Sequence, residues 1–347
     1  MKNIWPVCFG LSVILAAAIG LAGCGTLSNP SPVNTNTAPA TLAYVFGVES
    51  GQMVMTEYST VSANNGSPVG SLQAGQGSIA TDSAGQIYIL YPNSNGAIPG
   101  GEIVVYPPNS TGNASPSRTI QLAYLPNRLA VDPTGRIYVA NLPADWTNGA
   151  PVTISVYAAD ASRAATPLRT FVMTTALPPT IDMVADAAGN LYVAACLRGN
   201  QWAVAVYPPT ANGPATPART IDFAADTFVY GVAVDSAGKI FVNVGSVNNP
   251  RPTFIEEFAP GASGPATPIN TINLTGGPSW QTVAGGPVRV DGAGNIFTSL
   301  QLLEISPETG QVVNVFYGFG PEATGNAVPT AQFAPPDGGA NGWLALN

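Results

Sequence analysis

A chain without histidine has few routes to general acid–base or nucleophilic chemistry, and this sequence of 347 residues contains none. Ser-His-Asp triads, Cys-His pairs and His-ligated zinc or iron are therefore excluded. Carboxylates, amides, guanidiniums and aromatic rings remain. Glu49, Asp145, Asp182, Asp226 and Asn243 are oxygen donors of the kind that calcium accepts without an imidazole, but they form no recognisable metal-binding phrase. Trp146, Arg198, Trp202, Tyr230, Arg251 and Trp280 are the candidate ligand-binding residues. Aromatic rings among amides suit stacking on sugars or other flat ligands, and equally suit loops that pack on one another.

Five other aspartates have a positional role. Asp82, Asp132, Asp186, Asp235 and Asp291 each open a phrase Asp-x-x-Gly-x-(Ile/Leu)-(Tyr/Phe), at spacings of 50, 54, 49 and 56. Asp accepts backbone bonds in a tight turn and Gly supplies a positive φ, so each phrase predicts a turn between two strands. About 18 residues later comes a second repeated phrase, as in Val104-Val105-Tyr106-Pro107-Pro108 and Ala205-Val206-Tyr207-Pro208-Pro209, then a Gly/Ala/Ser/Pro stretch and a short Arg-Thr-Ile strand. Each unit reads as four short strands: a before the Asp, b as Ile-Tyr-Val, c ending in Val-Tyr, and d as Arg-Thr-Ile. Arg118, Arg169 and Arg219, which start strand d, are expected to make structural pairs or cover the next unit.

A four-stranded antiparallel unit of about 50 residues in tandem is the signature of a β-propeller blade. Strands apolar on both faces, such as Ile87-Tyr88-Ile89-Leu90, fit sheets sandwiched between neighbours and account for a composition only 9% charged. Leu42 to Phe46 looks like a strand b and Val54 to Tyr58 like a strand c, in a unit that lacks its own strand a. Trp343-Leu344-Ala345-Leu346-Asn347 parallels Arg128-Leu129-Ala130-Val131-Asp132. The expected fold is therefore an all-β, six-bladed β-propeller over residues 42–347, closed by the C-terminal strand. In such a meander the a–b and c–d connections share one face, repetitive here. The b–c and d–a connections share the other, where length and content vary and recognition is expected.

The Asp-x-x-Gly-x-Ile-Tyr-Val phrase resembles the NHL-type propeller repeat, which implies the fold and says little about activity. The gluconolactonase-type propellers imply an alternative, a calcium-dependent lactonase or hydrolase; otherwise no cofactor is expected. The favoured reading is a non-catalytic, monomeric scaffold that binds a protein or glycan. Nine Arg and two Lys against nineteen acids, with no basic cluster, argue against nucleic acid as a partner.

Residues 1–23 carry Lys2, an apolar run and small residues, the pattern of an export signal. The ending Leu21-Ala22-Gly23-Cys24 resembles the lipobox of bacterial lipoproteins. That resemblance implies cleavage before Cys24 and acylation of Cys24, with residues 24–41 as a polar, Pro-rich tether. The chain is thus expected to be exported and lipid-anchored in the bacterial cell envelope, at the outer membrane or periplasmic face. Cys8 would leave with the signal, so Cys196 is expected to stand alone as a buried thiol.

Overall fold

The structure is a computed structural model that describes residues 42–49, 52–60, 68–75, 77–93, 100–143, 150–197, 201–246, 253–275, 280–304, 312–334 and 343–346. Residues 1–41, and with them Cys24 and the signal and tether segments, lie outside the described residues.

The described residues form strands and no helix, in six sheets. Blade 1 holds β1 (Leu42–Glu49), β2 (Gln52–Ser59) and β3 (Gly70–Leu72). Blade 2 is β4 (Ser78–Thr81), β5 (Ile87–Asn93), β6 (Gly100–Tyr106) and β7 (Arg118–Leu122). Blade 3 is β8 (Pro126–Val131), β9 (Ile137–Asn141), β10 (Thr153–Tyr157) and β11 (Arg169–Met173). Blade 4 holds β12 (Ala176–Ala185), β13 (Leu191–Leu197) and β14 (Gln201–Tyr207); β15 (Gly213–Ala215) then joins blade 3, and β16 (Arg219–Asp222) completes blade 4. Blade 5 is β17 (Thr227–Val234), β18 (Ile240–Ser246), β19 (Thr253–Phe258) and β20 (Asn270–Leu274). Blade 6 is β21 (Trp280–Val290), β22 (Ile296–Glu304), β23 (Val312–Phe319) and β24 (Ala331–Phe333), and β25 (Leu344–Leu346) returns to blade 1. The antiparallel register Ala43↔Leu346, Tyr44↔Ala345, Val45↔Leu344 makes β25 the missing strand a, as the repeat arithmetic requires.

Each a–b hairpin is closed by its Asp-x-x-Gly phrase. The Asp82 carboxylate accepts the backbone N–H groups of Ala84 (3.0 Å) and Gln86 (2.9 Å), and Gly85 sits at φ +77°. The same pattern holds from Asp132 to Gly135 at φ +84° and from Asp291 to Gly294 at φ +84°. Its second oxygen anchors strand b, since the Tyr88 hydroxyl donates to Asp82 (2.9 Å) and the Tyr138 hydroxyl to Asp132 (3.1 Å). Arg118 then ties this turn to the next blade, donating to the Tyr88 hydroxyl (3.1 Å) and to the Ala159 carbonyl (2.8 Å). Arg219 repeats the second contact on Ala262 (2.6 Å).

Because side chains alternate across a strand, every blade feeds two interfaces, and six apolar clusters result, one between each pair of neighbours. The cluster at the closing seam contains Ala43, Val45, Tyr58, Phe297, Phe316, Phe333 and Leu344. Phe333 stacks on Tyr58 at 4.5 Å and on Phe316 at 5.3 Å between ring centroids.

The c–d connections do more than turn. Those of blades 2 to 6 pair in parallel against strand d of the preceding blade: Leu72↔Gly112, Ile120↔Arg163, Ile221↔Gly264 and Ile272↔Gly325 as single residues, and Phe171↔Gly213 extended to Met173↔Ala215 as β15. The Arg163 N–H donates to the Thr119 carbonyl (2.6 Å), and the Gln121 N–H returns to the Arg163 carbonyl (2.7 Å). These latches cover outer edges that would otherwise template further strand addition. All five latch residues have positive φ, between +55° and +66°, a conformation that costs a residue with Cβ roughly 1–2 kcal/mol. Four are Gly and one is Arg163. Replacing Arg163 by Gly is expected to raise stability by roughly 0.5–1 kcal/mol, after the entropy that Gly adds to the unfolded chain. Gly264→Ala, where a Cβ would meet nothing within 4 Å, is expected to lower it by about 1 kcal/mol. Urea titration of both variants checks the pair.

The seam leaves one carboxylate poorly served. Glu57 faces Tyr44 across β1 and β2, as Glu257 faces Phe241 in blade 5. Glu257 takes Lys239 at 2.8 Å and Asn270 at 3.3 Å. Beside Glu57 the strand d position is Gly70, and Glu57 Oε1 is buried with no hydrogen-bond partner among the described residues. Burial pushes the Glu57 carboxyl up to about 7 from its ordinary 4.5. A folded-state value raised in this way favours the folded protein below about 4.5, and the advantage is lost as pH rises through about 7. The melting temperature is expected to fall over this window by the equivalent of roughly 1–2 kcal/mol, allowing for solvent screening. Glu57→Gln should flatten that slope in a calorimetric pH series.

Candidate functional site

Six inner strands, β4, β8, β12, β17, β21 and β25, ring the propeller axis in that order. Their inner edges have no sheet neighbour, so their backbone groups depend on side chains reaching from the blade before. The fourth residue ahead of the turn Asp does this in turn. Ser78 Oγ accepts the Leu129 N–H (3.2 Å), Arg128 Nε donates to the Ile181 carbonyl (2.5 Å), and Asp182 Oδ2 accepts the Val232 N–H (3.1 Å). Gly231 holds the equivalent place in blade 5, where a Cβ would stand 2.7 Å from the Gly286 carbonyl oxygen and the Val288 nitrogen. Trp343 holds it beside β25.

Two positions nearer the turn the ring reads Ala80, Ala130, Val184, Ala233, Arg289 and Ala345. Small residues leave room for the one long side chain. Arg289 reaches from blade 6 past blade 5 to blade 4, pairing Nη1 with Asp182 Oδ2 (2.8 Å) and Nη2 with Oδ1 (3.0 Å). Its Nη1 also donates to the Val288 and Val232 carbonyls (2.7 and 3.3 Å). Arg128, from blade 3, lies 4.4 Å from the centre of the Trp343 ring. That ring belongs to the segment closing blade 1, which stands opposite blade 4 in a six-membered circle. Only a guanidinium lying across the axis can touch both Trp343 and Ile181.

The axis therefore carries two guanidiniums, one carboxylate and one indole. Asp182 is 4% exposed, and both its oxygens serve Arg289. Loss of water brings the Arg128 guanidinium down to about 10, an effect that the charge of Asp182 partly offsets. Towards the Asp turns the channel widens into a cavity of about 190 Å³, lined by Ala80, Ala130, Ala233, Ala345 and Arg289 among others. At about 3.3 Å per residue the polar layer stands roughly 13 Å from those turns, on the side of the variable connections.

The residues anticipated for ligand binding are distributed differently. Trp146, Arg198 and Arg251 lie outside the described residues, and of Trp280 only the backbone is described. Trp202 and Tyr230 are 5% and 6% exposed and flank Phe228, at 5.6 and 6.2 Å between ring centroids. Tyr230 lies over Gly245 and Gly285, at both of which a Cβ would come within 2.7 Å of its ring. These two rings thus pack in the wall near the blade 4 and blade 5 connections.

Among the possible calcium ligands, Asp182 is committed to Arg289. Asn243 donates from Nδ2 to the Gly286 carbonyl (3.0 Å) and to Thr298 Oγ1 (2.8 Å), inside the wall between blades 5 and 6. Glu49 is half-buried, Asp226 is exposed, and Asp145 lies outside the described residues. Among the described residues no group of three acids or cysteines stands close enough to hold a metal ion. Cys196 is 3% exposed in the cluster between blades 4 and 5.

No protein-family model matches the chain, and no curated protein matches it. Solved structures do. A protein of unknown function from Bacteroides caccae superposes with a TM-score of 0.57 at 12% identity, over 88% of this chain and 98% of that one. The major allergen Mala s 1 of Malassezia sympodialis gives 0.44 at 10% identity, over 78% of this chain and 85% of the allergen. The WD40 domain of Toxoplasma gondii coronin gives 0.39 at 11%, over 74% and 73%. At 12% identity the likeness to the Bacteroides caccae protein is one of fold alone, and the fold of this chain is an all-β propeller of six four-stranded blades.

Proposed function

We propose that the chain is an exported, lipid-anchored propeller of the bacterial cell envelope that acts as a non-catalytic scaffold for a protein or glycan. The observation that carries this reading is the asymmetry between the two faces. One is standardised by repeated Asp turns and by latches that recur in register, so its residues are committed to holding blades together. The polar layer on the axis lies towards the other face, where connections differ from blade to blade, and variable loops on a rigid frame are where recognition concentrates. The lipobox-like Leu21-Ala22-Gly23-Cys24 supports the anchor, and several acyl chains on Cys24 would hold the protein stably at a membrane. The repeat phrases support an NHL-like ancestry of the blades.

Mass spectrometry of the protein purified from membranes tests the anchor. A chain that begins at a diacylglyceryl-modified Cys24 supports it. A chain that keeps residues 1–23, or that holds Cys24 in a disulfide with Cys196, overturns it, because an acylated sulfur cannot also form that bond. For the scaffold, binding of envelope polysaccharides and peptidoglycan fragments is measured by calorimetry. Binding that disappears when the b–c connections are shortened supports the reading. Calcium-dependent hydrolysis of an aldonolactone, with a calcium-dependent rise in melting temperature, would replace it with the lactonase alternative.

A further inference from the structure

We propose that the free edge of the Arg128 guanidinium, at the centre of the propeller, is the binding site for a small monocarboxylate ligand. The proposal rests on reading the chain as a binding scaffold and names a ligand class for it.

A guanidinium has five N–H donors. Arg128 uses Nε on the Ile181 carbonyl (2.5 Å) and one Nη1 proton on the Asn127 carbonyl (2.9 Å). The other three donors have no partner among the described residues. None of them goes to the nearby carboxylate, where Arg289 holds both Asp182 oxygens at 2.8 and 3.0 Å. The three ion pairs among the described residues join Arg136 to Asp132, Lys239 to Glu257 and Arg289 to Asp182, so Arg128 is in none.

Arg128 is only part-buried, so a ligand can reach it, and its backbone contacts with Ile181 and Asn127 leave its charge without an ion-pair partner among the described residues. The layer carries one uncompensated positive charge in a chain whose net charge is −8. Trp343 covers one face of the guanidinium, which leaves its planar edge to a ligand. That fork matches a carboxylate in bidentate geometry. A single excess charge balances a monoanion, while Asp182 beside it disfavours a dianion such as sulfate.

Calorimetry and thermal-shift measurements on the full chain in detergent micelles test this with acetate and glucuronate, glucose as the uncharged control and sulfate as the dianion. Both carboxylates are expected to bind and to raise the melting temperature, while glucose and sulfate do not. Arg128→Gln should abolish binding and Arg128→Lys, which keeps the charge but not the fork, should weaken it by about tenfold. Should Arg128→Gln fail to fold, the Arg128→Lys comparison still decides. Undiminished carboxylate binding by Arg128→Lys, equal binding of sulfate, or no binding of either carboxylate overturns the proposal. None of these results bears on the lipid anchor or on glycan binding by the outer loops, which fail or stand on their own tests.

Discussion

Deleting Trp343 to Asn347 is expected to lower the melting temperature by about 10 °C or more, or to prevent folding, in a calorimetric comparison with the whole chain. The segment is short, but it completes a circle. Leu344 is fully buried and Ala345 is 2% exposed, and burying a side chain the size of Leu contributes about 1.5–3 kcal/mol. Its removal also strips the pairing from Tyr44 and its neighbours, opens the seam cluster around Tyr58, Phe316 and Phe333, and takes the Trp343 ring from Arg128. Together these amount to something on the order of 5 kcal/mol, and each kcal/mol moves the midpoint of a large domain by roughly 2 °C. Leu344→Asp, which keeps the chain length but places a charge in the seam, should act in the same direction. A melting temperature within about 2 °C of the parent after the deletion would mean that the seam is held by other contacts.

The closing strand was legible because the register of Trp343 to Leu346 repeats that of Arg128 to Val131, and because the first unit visibly lacks a strand before Leu42. The turns were legible for a stronger reason: an acceptor at the first position and a positive φ at the fourth leave little choice but Asp and Gly. The latches were hidden, since a parallel pairing of one to three residues needs only backbone groups and leaves no apolar pattern. In sequence, Gly112, Gly213, Gly264 and Gly325 look like ordinary loop glycines, and Arg163 in the same place disguises the series further.

The polar layer on the axis was hidden by distance. Arg128 meets the backbone of a residue 53 positions away and Arg289 meets a carboxylate 107 positions away. The register that brings Arg289 inward also depends on a bulge between Gly285 and Val288. Aligning the repeats on their Asp does expose Arg289 as the one charged residue in a ring of Ala and Val, a signal that composition and motif spacing do not carry. Trp202 and Tyr230 are buried around Phe228, a packing that their aromatic character alone did not reveal. Whether they are free to meet a ligand was decided by Gly245 and Gly285, which lack the side chains that would keep the Tyr230 ring out of the wall.

The charge imbalance on the axis makes a second large effect asymmetric. In an isolated buried ion pair, removing either partner strands the other, at a cost of about 3–5 kcal/mol. Here Asp182→Asn leaves Arg289 and Arg128 together with no carboxylate, and that cost of about 3–5 kcal/mol is expected in full. Arg289→Met leaves Asp182 beside Arg128, which can turn its unused donors to the released oxygens, so the loss should be nearer 1–2 kcal/mol, mainly the bonds to the Val232 and Val288 carbonyls. Denaturant titration of the two variants measures the difference directly. Equal losses, or a larger loss for Arg289→Met, would show that Arg128 is electrostatically separate from the pair. The same logic reaches the ligand. Arg289→Met should weaken carboxylate binding, because Asp182 then competes for Arg128, whereas Asp182→Asn should admit sulfate as well, because two uncompensated guanidiniums can balance a dianion.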